Sequence, residues 1–204
     1  MTTDAATGSA AARRGRPGYD RDRLLAVVVQ AFNDHGYEAT SLGMLSERLG
    51  LSRSAIYHHF DSKEQMLEVA LAQALDGLEA VFDEPEATAG PADARIRHVL
   101  RGAVLVLTAE LPSVTLLLRL RGNTEVERAA LARRRAIDAR LRALFERARD
   151  EGTLRPEVDP RLAERLTFGM VNSLVEWYRP DGRTSPEALA DAVLAYVDAG
   201  LTAR

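Results

Sequence analysis

Residues 40–60 of the chain read TSLGMLSERLGLSRSAIYHHF, and the order of apolar, glycine and hydroxyl residues there decides the fold. Leu42, Leu45 and Leu49 recur at helical spacing, so the first half is a short helix with one apolar face. Gly50 stands where that helix must leave through a left-handed residue, a conformation glycine enters without a Cβ penalty. Ser52 then caps a second helix through its hydroxyl, and Leu51 and Ile56 flank the cap at the spacing of a hydrophobic staple. Two helices across a short glycine turn make the helix-turn-helix unit, whose second helix enters the DNA major groove.

The second helix carries groups suited to that groove. Arg53 lies in its first turn, where such helices point at base edges, and arginine can pair bidentately with guanine O6 and N7. Ser54 can read a base or a phosphate, as can the capping Ser52. Tyr57, His58 and His59 can donate to phosphate oxygens, while Ile56 and Phe60 face inward. Thr40 and Ser41 before the first helix, and Lys63 after the second, complete the expected set of DNA contacts.

The flanking residues extend this unit to a three-helix domain. Residues 19–35 place Leu24, Val28 and Phe32 on one stripe, with Asp20 as cap, Tyr19 stapling onto Leu24, and Gly36 as the stop. Ser62 and Gln65 open a further helix with a capping-box pattern. Its apolar stripe, from Met66 and Leu67 through Ala70, Leu71, Ala74 and Leu75 to Leu78, is too long for the DNA reader alone and leads into a second domain. Gly43 is a departure inside the first helix of the motif, where glycine costs roughly 1 kcal/mol relative to alanine. It points to a close approach by DNA backbone or by another helix.

The run from Leu24 to Leu67 resembles the N-terminal domain of TetR-family transcriptional regulators. The matching features are Ala31-Phe32, Gly36-Tyr37, Ala39-Thr40-Ser41, Gly50-Leu51-Ser52, Ile56-Tyr57 and His59-Phe60, followed by Ser62-Lys63-Glu64. The resemblance implies an all-α homodimer whose two readers enter major grooves at a palindromic operator. It also implies a larger helical C-terminal domain that binds a small molecule and lowers DNA affinity. The expected organisation is a basic arm over residues 1–18, a reader over 19–65 and an effector-binding and dimerisation domain over 66–204, with about nine helices in all.

Composition bounds the alternatives. With 46% apolar and 28% charged residues, the chain is an ordinary globular sequence with ample core. It has no cysteine, so disulfides and thiolate metal sites are excluded. Histidines at helical metal-pair spacing, a phosphate-binding glycine loop and a nucleophile elbow are all missing, so neither an enzyme, a cofactor nor a metal is expected. No apolar run reaches the length of a membrane span and no signal-peptide core is present, so the expected location is cytoplasmic. The net charge of −3 is compatible with DNA binding, because a local basic surface sets phosphate affinity. Residues 1–12 are small and polar, as in a disordered tail; Arg13, Arg14 and Arg16 then form a basic arm that can lie along the minor groove.

Beyond residue 82 the reading is coarser. Residues 84–92 are a Pro/Gly-containing loop, 95–109 a buried helix, and Pro112 breaks the chain before the apolar run 114–120. Residues 124–150 form a long charged helix, and two more helices follow near 160–178 and 185–202. Leu162, Leu166, Met170 and Leu174 form one apolar stripe on this last pair, and Leu189, Val193, Tyr196 and Val197 another. The reading assigns both to a four-helix dimer interface, the usual role of the terminal pair in TetR-like proteins, with coverage of the domain's own core as the competing use.

For the effector cavity, Val104, Leu107, Leu116, Leu117, Phe168 and Val171 are apolar candidates in the middle helices, although each such residue is more often plain core. Arg119, Arg121 and Asn123 stand beside that segment, where the arginines can clamp an anionic group or pair with Glu125 and Glu127. The segments 169–172, with Asn172, and 177–182, opening at Trp177, resemble a TetR branch controlling catabolism of fatty acids, steroids and aromatic acids. Members of that branch often respond to acyl-CoA thioesters. The expected function is therefore a ligand-released repressor on operator DNA. An effector-independent architectural DNA-binding protein, and a repressor of efflux genes sensing apolar drug-like compounds, stay open as alternatives.

Overall fold

The computed structural model describes residues 20–201; the arm residues Arg13, Arg14 and Arg16, and Tyr19, lie outside it. Helix α1 (Arg21–His35) starts where the Asp20 carboxylate accepts from the Arg23 amide at 2.8 Å, and stops at Gly36, φ 85°. Helix α2 (Leu42–Leu49) is capped by Ser41 and leaves through Gly50 in the left-handed region, with the Leu51 amide donating back to the Ser46 carbonyl at 3.1 Å. Helix α3 (Arg53–Tyr57) is capped by Ser52, whose hydroxyl accepts from the Ala55 amide at 3.2 Å. The local chemistry that marks a helix-turn-helix in the sequence is therefore the chemistry that builds it.

Helix α4 (Lys63–Asp83) is capped by Ser62, while the Gln65 side chain reaches one residue further back than a capping box requires, accepting from the Asp61 amide at 2.7 Å. Residues 85–88, expected as loop, form the one-turn helix α5 (Pro85–Thr88). Pro85 sits in its first turn, where the missing N–H has no intrahelical partner to lose. Helices α6 (Ala92–Ala109) and α7 (Leu111–Leu118) meet at a 103° bend with Pro112 in the first turn of α7. Helices α8 (Glu125–Asp150), α9 (Pro160–Trp177) and α10 (Pro186–Leu201) complete the chain. The described residues thus hold ten helices and no strand, one helix more than expected because of α5. Among the described residues, no single helix is long and apolar enough to cross a membrane.

The reader closes on Leu24, Val28, Phe32, Leu45, Ile56, Phe60, Met66 and Leu67, all at most 1% exposed. Burying each such side chain is worth about 1.5–3 kcal/mol. Met66 and Leu67 belong to α4, whose later turns pack on α6, α7 and α8, so one helix serves both halves of the core. Helix α1 in turn packs on α7, and α6 lies between α4, α8 and α10.

The terminal pair divides its apolar residues differently from the sequence expectation. Leu174, Leu189, Val193 and Val197 are buried in the chain's own core, packed inward by the contacts of α9 and α10 with α8 and α6, the competing use of these stripes. Leu162 (60% exposed), Leu166 (72%) and Tyr196 (76%) face outward, with Met170 half-buried beside them. Trp177, expected in the effector cavity, is 55% exposed and falls on the outward stripe of α9 instead.

Two glycines allow the close packing of α4 on α6, Gly77 against Val106 and, more tightly, Gly102 against Val81. A Cβ at Gly102 would lie 2.8 Å from Val81 Cγ2. Gly102→Ala is therefore expected to lower stability by about 1–3 kcal/mol through overpacking, despite alanine's better helix propensity. Thermal or urea unfolding checks this, and an unchanged or raised midpoint contradicts it.

Candidate nucleic-acid interface and effector cavities

The exposed side of the reader is made by Ser41, Ser52, Arg53, Ser54, Tyr57 and His58, with His59 half-buried. Ser52 and Ser54 exchange a hydrogen bond at 2.9 Å beside Arg53, which orders both hydroxyls at the start of α3. A Cβ at Gly43 would come within 3.3 Å of Arg53 Nη2, so the glycine inside α2 gives the guanidinium room. The close approach read from the sequence is thus to the neighbouring helix. Ile56 and Phe60 are fully buried, which fixes the register of the exposed face.

Two expected DNA contacts are spent inside the protein. Thr40 is 0% exposed, and its hydroxyl donates to the Gly36 carbonyl at 2.8 Å, closing the turn between α1 and α2. The Lys63 ammonium donates to the carbonyls of Tyr37 (2.9 Å) and Thr40 (3.0 Å) and lies 4.3 Å from the centroid of the Tyr37 ring. An ammonium has three donors, and a third contact to the Glu38 carbonyl at 3.4 Å uses the last. Lys63 fastens α4 to the reader.

The residues proposed for one effector cavity fall into separate places. Leu107, Leu117, Phe168, Val171 and Asn172 line a narrow apolar slot between α4, α6, α7, α8 and α9, with about 40 Å³ of free volume. Val104, 0% exposed, is core. The slot's wall also holds Arg134 and Asp138 of α8, and these two residues, with Phe168 and Asn172, line a second, wider basin of about 530 Å³ between α8 and α9. That basin adds Arg135, Arg142 and Arg165, which the sequence reading missed. Arg134, Asp138 and Arg142 are spaced four apart, so their common helical face was legible.

The basin sets four arginines against two carboxylates, Asp138 and Glu164. Arg142 Nε lies 3.9 Å from Glu164 Oε2 and is otherwise buried without a hydrogen-bond partner. Burial raises the pKa values of Asp138 and Glu164, the proximity of Asp138 adds to the rise at Glu164, and the surrounding arginines oppose both. Gly169 on the basin wall meets nothing within 4 Å of a built Cβ, an open space beside a mid-helix glycine.

Leu116, Arg119, Arg121 and Asn123 instead line a different cleft, of about 340 Å³, shared with Asn33, His35 and Tyr37 of the reader. The alternative use of the two arginines, pairing with Glu125 and Glu127, is not formed between side chains among the described residues. Glu127 is 4% exposed and its Oε2 accepts backbone N–H groups of Arg121 (3.3 Å), Gly122 (2.8 Å) and Asn123 (2.9 Å).

Comparison with known proteins agrees with this architecture. The chain is similar to a crystallised member of the TetR transcriptional regulator family from Streptomyces coelicolor A3, at 50% identity over 87% of this chain and 90% of that one, with a TM-score of 0.82. It is 27% identical to the HTH-type transcriptional repressor KstR2 of Mycolicibacterium smegmatis, over 92% of this chain and 93% of the relative. It is also similar to AibR, crystallised with isovaleryl coenzyme A and operator DNA, at 26% identity over 86% and 96% of the two chains and a TM-score of 0.71. The family model for bacterial regulatory proteins of the tetR family matches residues 24–70, and that for the tetracyclin repressor-like C-terminal domain matches residues 89–201. The second match runs over more than half the chain, and the chain belongs to the TetR family of transcriptional regulators, which bind DNA and are not enzymes.

Proposed function

We propose that the protein is a cytoplasmic repressor that binds a palindromic operator as a homodimer and is released by an acyl-CoA thioester. The observation that carries the effector assignment is the shared wall of slot and basin: an apolar slot and a basin lined by four arginines have Arg134, Asp138, Phe168 and Asn172 in common. An acyl chain suits the first, and the phosphates of coenzyme A suit guanidinium groups that hold no strong internal ion pair. The slot's present free volume is far below the roughly 300–1,000 Å³ of drug-sized sites, so admission of a chain requires its walls to part. The walls that part belong to α4 and α7, both in contact with the reader's helix α1. The likeness to AibR, which was crystallised with an acyl-CoA, supports the same ligand class.

Dimerisation is supported by the outward apolar stripe of Leu162, Leu166, Met170 and Trp177 on α9, joined by Tyr196 on α10. Contiguous exposed apolar residues of this size mark contact surfaces, and two half-sites need two readers. In this reading, residues 1–18 form the basic arm, 19–65 the reader, and 66–204 the effector and dimer unit, with α4 crossing the last boundary.

Two experiments test the two ends of this account. Arg53→Ala is expected to cost about 1–3 kcal/mol at the cognate operator and to relax sequence preference at one base pair. Equal loss on unrelated DNA would show that Arg53 serves phosphate alone. Fluorescence anisotropy on DNA from upstream of the protein's own gene is expected to show release by one thioester of an acyl-CoA panel and not by free coenzyme A. Arg165→Ala should then demand about tenfold more thioester, as loss of one charge-assisted hydrogen bond of about 1.5 kcal/mol implies, with operator affinity unchanged in its absence. Tight DNA binding untouched by every thioester rejects the effector assignment and leaves the regulator.

A further inference from the structure

Glu84, Glu86 and His98 come together where α4, α5 and α6 meet. Each offers one metal-ligating atom, and the three atoms lie within 4.8 Å of one another. Glu84 joins the end of α4 to the start of α5, Glu86 lies in the first turn of α5, and His98 belongs to α6. The support beneath them is ordered. Arg95, about one turn before His98 on α6, donates through Nε to the Ala87 carbonyl at 2.7 Å, and Ala87 is itself buried. Helix α5 is thus pinned against α6, with Glu84 Oε2 standing 2.6 Å from His98 Nε2.

The fold makes little other use of these donors. Glu84 occupies the N-cap of α5, yet its side chain makes no capping hydrogen bond. The Glu86 carboxylate has no hydrogen bond or ion pair among the described residues. The arginines around His98 on α6 are committed elsewhere, Arg95 to the Ala87 carbonyl, Arg97 to Asp198 and Arg101 to Asp191. Two carboxylates therefore face one imidazole without a guanidinium between them. All three groups reach solvent: the Glu84 side chain is 48% exposed and that of His98 26%, and Glu86 is exposed as well.

We infer that this junction is a site for a divalent transition-metal ion of the zinc class. Zinc bonds of about 2.0–2.2 Å to imidazole nitrogen and carboxylate oxygen place the donors roughly 3–4 Å apart, which small side-chain rotations reach from the present arrangement. The nitrogen donor selects against magnesium and calcium, which take oxygen ligands. Three protein donors at an open surface leave the remaining position to water. The ion replaces the hydrogen bond between His98 and Glu84 and ties the end of α4 to α6. Sequence spacing conceals such a site, because its donors come from two elements and only one is a histidine. The site stands whether or not the thioester assignment holds, since it shares no residue with the slot or the basin.

Isothermal titration of the full-length, chelator-stripped protein with zinc chloride, and separately with magnesium chloride, tests the site. One saturable zinc ion per chain is expected, with no magnesium heat. Glu86→Gln alters a carboxylate without a partner in the fold, so the metal-free melting temperature should be unchanged. Its zinc affinity should fall about tenfold or more, the scale that loss of even a supporting group at a metal site produces. His98→Ala should abolish binding. Hydrogen exchange locates the ion: zinc should slow the amides of residues 84–89 in the wild type and not in His98→Ala. No zinc binding by the wild type, magnesium bound as tightly as zinc, or full zinc affinity in Glu86→Gln overturns the inference. Zinc binding that survives His98→Ala also overturns it, and points to adventitious capture by the adjacent His58 and His59 of the reader.

Discussion

The ammonium of Lys63 is the fastening on which the rest of the molecule depends. It is the first residue of α4, and it holds the carbonyls of the turn between α1 and α2 while stacking on Tyr37. Helix α4 is 21 residues long, about 30 Å at the usual rise. One end is therefore tied into the reader, and its later turns place Ala74, Leu75 and Leu78 along the apolar slot. A packed helix of this length transmits displacement instead of absorbing it, because close-packed interiors are not continuously deformable.

A second link runs through α7. Its Val114, Leu117 and Leu118 face the slot, while its first turn receives the Asn33 side chain and its end sends Arg119 back to α1. Parting the slot walls in the proposed mechanism thus moves two elements that both grip α1 and the reader. Ligand and operator then oppose one another by the same coupling free energy, since each favours a different placement of the readers. The interdomain cleft lies between these same two links, bordered by the end of α1 and the end of α7.

The reader was legible in the sequence because its information is local. Ser41, Ser52 and Ser62 cap the helices that follow them, and Gly50 takes the left-handed exit its position demands. Exposure of a polar residue is not a local property: the carbonyls that hold Thr40 and Lys63 come from residues up to 26 positions away. Periodicity likewise grouped Leu174 with Leu162 and Leu166, although Leu174 turns into the core while the other two face outward. A stripe can wrap around a helix edge, and only the neighbouring α8 decides which part is covered. The three basin arginines of α8, Arg134, Arg135 and Arg142, lie on a helix rich in charge, and they acquire meaning only when Arg165 of α9 is brought beside them. Arg119 and Arg121 follow Leu117 closely in sequence yet face another cleft, because α7 ends at Leu118 and the chain turns toward the reader.

Reader spacing in the dimer is the quantity on which the proposed linkage turns. The chain has no cysteine, so the single substitution Glu47→Cys on exposed α2 gives one spin label per protomer and one reader-to-reader distance. Pulsed electron resonance should give a narrow distribution on operator DNA, set by half-sites about 34–36 Å apart or a multiple of that. A saturating thioester that releases DNA should move the distribution away from that value. Release of DNA with the distribution unchanged would contradict the linkage through α4 and α7.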